Sequence, residues 1–397
     1  MKLVDLFAGC GGMSLGFSKA GFDIVGAYEF WDVAVKCYGN NFNHPVFQQD
    51  LSNVDEAVES IRQLAPDVII GGPPCQDFSH AGKRIEADRA NLTISYAKII
   101  SRIKPSFFVM ENVDRITDSR TYAEARQIYK DSNYGLTEII LDASLCGVPQ
   151  KRKRFFCIGG LGVENNFLKD SILQDLSNKP MTLRDYFGET LDFEFYYRHP
   201  RNYSRRAVFS IDEPAPTMRG VNRPVPKGYI GHPNDACPLN ENIRCLTTLE
   251  RALIQTFPAD YKWVGNKTDT EQMIGNAVPV NLALYVGTHL MNYIQKENSV
   301  NSNIGLFSDW LKNNKNFSDR TVRDVQSRIM RADRLQPRDN NDMTLYIYYL
   351  EHNPQYLQLS SSVKSQIKRA LNLFDEFIKN KNESASIAFD QSNTQWA

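Results

Sequence analysis

The feature that most constrains the fold is a pattern repeated through the first 160 residues. A short apolar run ends at a glycine turn or an acidic residue, and a helical pattern follows. The run Val68–Ile70, for example, leads through two glycines and two prolines to Cys75. Apolar runs of this length, bounded by glycine and proline, predict buried strands that end in sharp turns. Their alternation with helices predicts an α/β fold with a doubly wound, mostly parallel sheet.

Polar groups follow the carboxyl ends of the predicted strands. They are the glycine turn at residues 8–12, Glu29, Asp50, Cys75 and Glu111. Because the carboxyl ends of parallel strands share one edge of a sheet, where α/β proteins bind their ligands, these groups are predicted to converge on one crevice. Cys75 taken alone has two interpretations, since it can be a presented nucleophile or a small buried side chain.

Length, hydropathy and cysteine usage narrow the class of protein. The chain has 397 residues, enough for two or three domains, and no run approaches the ~18 apolar residues of a membrane span. The seven cysteines are odd in number and include no CxxC, and the first residues do not resemble a signal peptide, so a cytoplasmic location is predicted. His232, Cys237 and Cys245 fit no common zinc spacing, and no metal is predicted.

Positive charge is concentrated in two stretches. Lys and Arg number 46, as do Asp and Glu, so the whole chain is neutral. Residues 198–228 nevertheless hold seven basic side chains against two acidic ones, and residues 317–338 hold six arginines against three aspartates. Local basic stretches on a neutral protein suit a polyanion bound on one face, although the counts alone fit a solvated surface as well.

A change of pattern divides the chain into domains. Strand–helix alternation stops near residue 162 and resumes near residue 243, which predicts a small irregular domain inserted into the α/β domain. Helical periodicity with serine caps at Ser318 and Ser362 predicts an all-α C-terminal extension. The predicted boundaries are 1–161 with 243–296 for the α/β domain, 162–242 for the insert, 296–303 for a polar linker, 304–380 for the helical extension and 381–397 for a disordered tail.

The glycine turn predicts a nucleotide-like ligand. A GxGxxG fingerprint would need glycine at position 14, where Ser14 stands, so the signal for NAD is incomplete. Glu29 lies 20 residues after Gly9, where a carboxylate binds ribose hydroxyls. An adenosine-containing cofactor is therefore predicted. Phe7 and Phe30 are placed either to sandwich its adenine or to pack in the core.

Together these motifs, in this order, resemble the DNA (cytosine-5)-methyltransferases from residue 3 to about residue 294. They are DLFAGCGG (5–12), Glu29, Asp50, GGPPCQDFS (71–79), ENV (111–113), QKRKR (150–154), RCLTTLERALIQTFP (244–258) and GNAVP (275–279). The resemblance implies the Rossmann-like fold of methyltransferases that use S-adenosylmethionine. It also implies that the GNAVP segment supplies the helix that packs beside strand one and that the insert is a target-recognition domain.

The family resemblance implies S-adenosylmethionine as the methyl donor, in place of NAD. The positions that match the cofactor contacts of the family are Phe7, Gly9, Gly11, Glu29, Phe30, Asp50, Leu51, Pro73, Leu92 and Asn276.

The same resemblance implies the catalytic groups. The Cys75 thiolate would add to carbon 6 of cytosine, which makes carbon 5 nucleophilic. Glu111 would hydrogen-bond the nitrogen edge of the base and stabilise the adduct by protonation. Arg152 would reach the exocyclic oxygen, and Arg152 and Arg154 are candidates for the positive setting that lowers the pKa of a reactive thiol.

A cytosine inside a duplex must flip out before a thiol can reach it. Residues 76–92 resemble the mobile loop of the family but are about two residues shorter than in the best-known members, so the side chain that fills the vacated stack is open between His80 and Arg84. The predicted DNA contacts are Gln76, Ser79, Lys83, Arg84 and Arg89 in the loop, and Arg205, Arg219 and Arg223 in the insert. At least one of the last three is expected to read a base edge.

The function predicted is methylation of a specific duplex DNA site in a bacterial restriction–modification system, by a monomer that acts separately from a cognate endonuclease and away from membranes. The alternatives are an RNA (tRNA) cytosine-5 methyltransferase and a catalytically silent relative that only binds DNA. A nicotinamide oxidoreductase is nearly excluded by the ordered motifs. The helical extension lies outside the resemblance, and its arginines suit either DNA contact or a stabilising or dimerising appendage.

Overall fold

The computed structural model describes residues 1–74, 92–200, 202, 204–336, 338 and 342–393, and of residues 298–302 and 381–393 it describes only the backbone. The chain divides into two compact units, Met1–Tyr293 and Ile294–Ala397. Cys75 and the five loop residues predicted to contact DNA lie outside the described residues.

The first unit is built on a seven-stranded sheet with two shorter strand pairs. The strands are β1 (Lys2–Leu6), β2 (Asp23–Glu29), β3 (Val46–Gln48), β4 (Val68–Gly71), β5 (Phe107–Val113), β6 (Tyr134–Asp142), β7 (Gln150–Lys151), β8 (Lys153–Leu161), β9 (Phe195–Tyr197), β10 (Val208–Ser210) and β11 (Ala215–Pro216). The sheet order is β3-β2-β1-β4-β5-β8-β6, and β1 to β5 pair in parallel. The mostly parallel α/β sheet is therefore confirmed.

One strand of this sheet is reversed. β8 lies between β5 and β6 and is antiparallel to both. Only residues 143–152 connect β6 to β8. A parallel crossover needs a dozen or more residues, usually with a helix, so this connection forces the strand to return. The sequence predicts both strands but not this reversal.

Helices cover the sheet and form the second unit. They are α1 (Gly12–Lys19), α2 (Asp32–Gly39), α3 (Val54–Leu64), α4 (Leu92–Ile103), α5 (Arg120–Asp131), α6 (Lys169–Gln174), α7 (Leu183–Phe187), α8 (Thr248–Ile254), α9 (Lys267–Asn276), α10 (Val280–Lys315), α11 (Asp319–Leu335), α12 (Met343–His352), α13 (Pro354–Leu357) and α14 (Ser361–Asn393). Short 3-10 turns occupy Asp114–Asp118, Ala143–Leu145 and Gly188–Thr190.

The core of the first unit forms on alternate strand positions. Val4, Ile69 and Phe108 are fully buried on one face, against side chains of α3, α4 and α5. Because strand side chains alternate, Asp5 and Glu111 belong to the opposite face. On that side α1 meets α10 so closely that an added Cβ at Gly16 would lie 2.5 Å from the Cβ of Ala283. The helix after GNAVP thus packs against α1, the helix that follows strand one.

The insert has little regular structure. β9 and β10 pair antiparallel, and β11 pairs in parallel with β7, next to the QKRKR segment. Two small apolar clusters stabilise it, one containing Tyr196 and the other Tyr197. The boundaries 162–242 stay a prediction.

The second unit is helical, as predicted, and has its own core. Phe307, Ile329 and Leu371 are fully buried at its centre, from α10, α11 and α14. Ser318 caps α11 by accepting a hydrogen bond from the amide of Thr321. The cap predicted at Ser362 is wrong, because α14 begins at Ser361 and the Oγ of Ser360 accepts from the amide of Val363.

The segment predicted to be a polar linker is helical. Residues 296–303 lie inside α10, which runs from Val280 to Lys315. The segment is polar but holds neither glycine nor proline, so nothing in it ends a helix that has already started. For the same reason α14 continues to Asn393, into the segment 381–397 that the sequence predicts to be disordered. Among the described residues, no helix is long and apolar enough to cross a membrane.

Candidate active site

The glycine turn after β1 is built from residues with positive φ. Phe7, Gly9 and Gly11 have φ of 57°, 55° and 89°, and Gly11 is the N-cap of α1. An added Cβ at Gly9 would meet nothing within 4 Å, so the space beside that backbone is open. At Gly11 it would press against the Phe42 ring. The turn therefore presents bare backbone, next to a helix N-terminus, to whatever occupies that space.

The Glu29 carboxylate is fixed beside this turn. Its two oxygens accept hydrogen bonds of 2.8 Å from the amides of Gly9, Phe30 and Trp31. The two aromatic candidates differ, since Phe7 packs against the core whereas Phe30 is 65% exposed. Of the two rings, that of Phe30 is therefore the one open to an adenine.

The remaining predicted cofactor positions are spread over four elements. Asp50 is exposed two residues after β3, and Leu51 beside it is buried. Pro73 follows β4, Leu92 begins α4 and Asn276 ends α9. An added Cβ at Gly12 would collide with the carbonyl of Val278, so the GNAVP segment lies directly against the glycine turn.

A buried polar chain lies behind the turn, and the sequence analysis missed it. Ser14 donates to Asp5 at 2.7 Å, Tyr38 donates to Ser14 at 2.6 Å, and Tyr38 also bonds the Nε2 of His44 at 2.8 Å. Burial raises the pKa of Asp5 to about 7, against a partial opposing effect of Ser14, and the nearby charge of Glu29 adds to the rise. The Oδ1 of Asp5 has no hydrogen-bond partner in the described structure. The sequence signal for this hydrogen-bond chain was Ser14, which stands where the GxGxxG fingerprint has a glycine.

Glu111 and Arg154 form a buried ion pair. The Arg154 Nε lies 2.8 Å from the Glu111 Oε1, and both side chains are at most 13% exposed. In the antiparallel pairing of β5 and β8, Arg154 opposes Val113 and Glu111 opposes Phe156, so the two charged residues are diagonal neighbours on one face. Burial raises the pKa of Glu111, and the charges of Arg154 and Arg152 partly offset the rise. Glu111 was predicted to follow a strand but is paired within it.

Arg152 is placed differently from Arg154. Its guanidinium donates to the carbonyl of Met218 at 2.9 Å, and to those of Gly275 and Ala277 at 2.9 and 3.0 Å. It lies between β7 and β8, and its side chain is drawn into the junction of the insert and the GNAVP segment. Burial is the main reason that its pKa lies well below the usual range. Arg152, which was predicted to reach the exocyclic oxygen of the base, thus donates to backbone carbonyls, and the arginine that pairs with Glu111 is Arg154.

The turn that leads to Cys75 is tied to β5. Asn112, which is buried, donates to the carbonyl of Pro73 at 2.8 Å. An added Cβ at Gly72 would lie 3.1 Å from the Glu111 Oε2. Asn112 stands in the ENV motif, and that was the signal for its role. The end of β4 and the Glu111 carboxylate are thus held within contact distance of each other.

A second buried network joins the insert to the α/β domain. Gln150 donates to Gln255 at 2.7 Å and accepts from the amide of Met218 at 2.8 Å. Arg251 pairs with Glu271 and also donates to the carbonyl of Arg219. Gln150 lies in QKRKR, and Arg251 and Gln255 lie in RCLTTLERALIQTFP, so these motif residues position backbone rather than substrate.

Of the three predicted DNA contacts in the insert, one differs from the other two in exposure. Arg205 and Arg223 are exposed. Arg219 is partly buried, and its guanidinium donates to the carbonyl of His199. Within the described residues, no group of three or more His, Cys, Asp or Glu side chains could hold a metal ion.

The fold and the site define a class of protein. A sheet with one reversed strand and a glycine turn after β1, followed by a carboxylate at the end of β2, is the arrangement of S-adenosylmethionine-dependent methyltransferases. Among solved structures, the Dnmt2 methyltransferase of S. pombe superposes with a TM-score of 0.56 at 19% identity, over 74% of this chain and 99% of that one. A putative DNA modification methyltransferase from an E. coli prophage has a TM-score of 0.55 at 22% identity, over 74% and 99%.

Sequence comparison identifies the family. Residues 1–292 match the model described as C-5 cytosine-specific DNA methylase, and the chain belongs to that family. The Type II methyltransferase M.HindV of Haemophilus influenzae is 57% identical over 295 residues, which are 74% of this chain and 97% of that protein. M.HgiDI of Herpetosiphon aurantiacus is 54% identical over 297 residues, which are 75% and 96%.

Proposed function

We propose that the chain methylates carbon 5 of a cytosine in a specific duplex DNA site, as the methyltransferase of a Type II restriction–modification system. Membership of the cytosine-5 DNA methylase family and the similarity to M.HindV and M.HgiDI support this function. The structural observation that carries it is the Glu111–Arg154 pair next to the anchored turn that precedes Cys75. An RNA substrate is the alternative, and no contact of the described residues favours it.

The site fits S-adenosylmethionine. The open space beside Gly9 and the fixed Glu29 carboxylate suit the ribose, and the exposed ring of Phe30 suits the adenine. Asp50, Leu51, Pro73, Leu92 and Asn276 would complete the pocket, with Phe7 and Gly11 shaping the turn. When bound, the cofactor supplies an electrophilic methyl group on a sulfonium.

The residues of the chain supply the remaining chemistry. The Cys75 thiolate adds to carbon 6 of the base, and the electron pair displaced from the 5,6 double bond moves toward nitrogen 3. Glu111 hydrogen-bonds and protonates that nitrogen edge, which its raised pKa favours. Carbon 5 is then nucleophilic and accepts the methyl group. Glu111 then takes back the nitrogen proton, and loss of the carbon 5 proton to solvent restores the 5,6 double bond and expels the Cys75 thiolate.

The two arginines of QKRKR have different roles. Arg154 orients the Glu111 carboxyl and lies where it can reach the exocyclic oxygen of a bound base. Arg152 acts through other groups, since it fixes the insert and the GNAVP segment by three backbone carbonyls. It is therefore a positioning residue.

Residues 162–242 would read the DNA site. Arg205 and Arg223 have exposed side chains that can reach guanine edges, whereas Arg219 is held against the His199 carbonyl. If alanine at Arg205 and Arg223 left sequence preference untouched, these residues would contact only phosphates. The protein would act in the bacterial cytoplasm as a monomer, separately from a cognate endonuclease.

The decisive experiment compares the wild type with Cys75→Ser. Serine lacks the nucleophilic thiolate, so we expect methyl transfer to be abolished and S-adenosylmethionine binding to be nearly intact. Methyl transfer is measured on duplex DNA and tRNA side by side, with isothermal titration for the cofactor. A duplex that contains 5-fluorocytosine should trap the wild type covalently and leave Cys75→Ser free. Substantial activity in Cys75→Ser would refute the mechanism, and bisulfite sequencing of DNA from expressing cells would identify the site.

A further inference from the structure

The helix α11 of the second unit has two opposite faces. Val322, Val325 and Ile329 are buried in the core of the unit. At 100° per residue, the arginines at 320, 323, 331 and 334 fall on the side opposite these residues, and all four are exposed. The arginines run over about 21 Å of helix, the length of 14 residues. This unit lies beyond the residues 1–292 that match the family.

The arginine face is not neutralised by its surroundings. Of the three aspartates on α11, Asp319 pairs with Lys312 and Asp333 pairs with Arg338. Asp324 is the acidic residue that remains on the arginine face. None of the four arginines has an ion-pair partner within 4.0 Å among the described residues.

Five other basic side chains of the same unit are neutralised by ion pairs. Their ion pairs are Lys312–Asp319, Lys315–Glu376, Arg338–Asp333, Lys368–Glu351 and Lys379–Asp375. An ordinary solvated surface mixes both signs in this way. The arginines of this unit without an ion-pair partner among the described residues are thus concentrated on α11, where four of them share one face, and Arg369 of α14 lies outside that helix.

The same face has a concave part. A depression of about 350 Å³ is lined by three of the arginines, and its other lining residues are Gln326, Ser327 and Met330. Met330 in this depression is 42% exposed. Guanidinium groups around a hollow with a hydroxyl and an amide provide several hydrogen-bond donors for phosphate oxygens.

We propose that this face, defined as Arg320, Arg323, Arg331 and Arg334 of α11, binds the phosphate backbone of duplex DNA without reading its sequence. An enzyme of the cytosine-5 DNA methylase family meets duplex DNA in its reaction, which makes DNA the polyanion of choice. Over about 21 Å, one strand offers roughly six phosphates. The surface adds affinity to an enzyme whose sequence preference is set elsewhere.

The test is the salt dependence of binding to a random-sequence duplex that lacks the methylation site, with the full-length protein. Each phosphate contact contributes about 0.9 to the slope of log affinity against log salt. The triple variant R323A/R331A/R334A should therefore lower the slope by about 2.7. Between 50 and 200 mM salt, the wild type should lose about 40-fold more affinity than the variant.

Two matched variants separate the surface from net charge. K368A/R369A/K379A removes an equal number of positive charges, but from α14 of this unit. It should leave the slope of log affinity against log salt nearly unchanged. R323K/R331K/R334K keeps the charges and should keep most of the slope, because counterion release depends on charge. Thermal unfolding and the methyl-transfer rate at saturating DNA should match the wild type in all three.

An unchanged slope in R323A/R331A/R334A, or an equal loss in the α14 variant, would overturn the proposal. A change of mass in light scattering without a change in DNA binding would overturn it too, and would make the face an interface between copies of this chain. These outcomes are independent of the Cys75 test, since binding to the random duplex needs no methyl transfer.

Discussion

Two groups of arginines, one in each unit, have opposite surroundings. In the first unit, Arg152 and Arg251 are buried and Arg154 is 13% exposed, and all three bind carbonyls or carboxylates. In the helical unit, Arg323 and Arg331 lie on an exposed face without an ion-pair partner in the described structure. Buried arginines organise the site internally, because an unpaired buried charge is very costly. Exposed arginines on one helix face leave their charge available to a molecule outside the chain.

This difference predicts where substitutions act. Removing one partner of a buried charged pair costs about 3–5 kcal/mol, whereas exposed substitutions usually stay within about 0.5 kcal/mol. Buried charges should therefore control activity and stability, and exposed arginines should control binding.

The largest effect is expected at Glu111. Glu111→Gln keeps the size of the side chain but cannot transfer a proton, so methyl transfer should slow by about 10²–10⁴-fold. Single-turnover rates at saturating DNA and cofactor measure this. Glu138→Gln is the control, because Glu138 lies on β6 of the same sheet and forms a partly buried ion pair with Arg126 of α5. A Glu111→Gln rate within threefold of the wild type would place the acid elsewhere.

The next effect concerns the buried carboxyl behind the glycine turn. The pKa of Asp5 is raised to about 7 in the folded protein from an ordinary value of 3.8, so the folded state binds this proton more tightly than the unfolded state. Stability from this group is therefore full below about pH 4 and is lost as pH rises toward 7. Between pH 5 and pH 8 the free energy of unfolding of the wild type should fall by about 3 kcal/mol more than that of Asp5→Asn.

Urea unfolding of both proteins at several pH values measures this difference. Titrating groups that lie far from Asp5 are common to the two proteins and cancel in the comparison. Parallel curves of unfolding free energy against pH would show that Asp5 is not held protonated.

The smallest expected effect is the difference in stability between substituting a buried arginine and substituting an exposed one. Arg152→Met should lower the free energy of unfolding by about 2 kcal/mol, because buried carbonyls of Met218, Gly275 and Ala277 lose their donor. Arg331→Met on the exposed face should change it by less than about 0.5 kcal/mol. Chemical denaturation measures both, and equal losses would remove the contrast between the units.

Several features could be predicted from the sequence because they depend on neighbouring residues. The strand that ends at Glu29, the glycine turn and the Ser318 cap follow from periodicity and turn chemistry over a few residues. Among the features that the sequence did not predict are the helical state of residues 296–303 and the reversed direction of β8. The helix through residues 296–303 was not predicted because polarity alone does not end a helix. The direction of β8 was not predicted because it depends on the length of the connection from β6.

By itself, the sequence determined the family, the mostly parallel sheet and the set of groups at its carboxyl edge, since ordered motifs and alternation are local signals. Only the tertiary structure decided which arginine of QKRKR meets Glu111. Residues 152 and 154 have the same parity in the sequence, but Arg154 opposes β5 whereas Arg152 reaches carbonyls 66, 123 and 125 residues away. Such partners are set by how distant segments pack, and no local pattern encodes them.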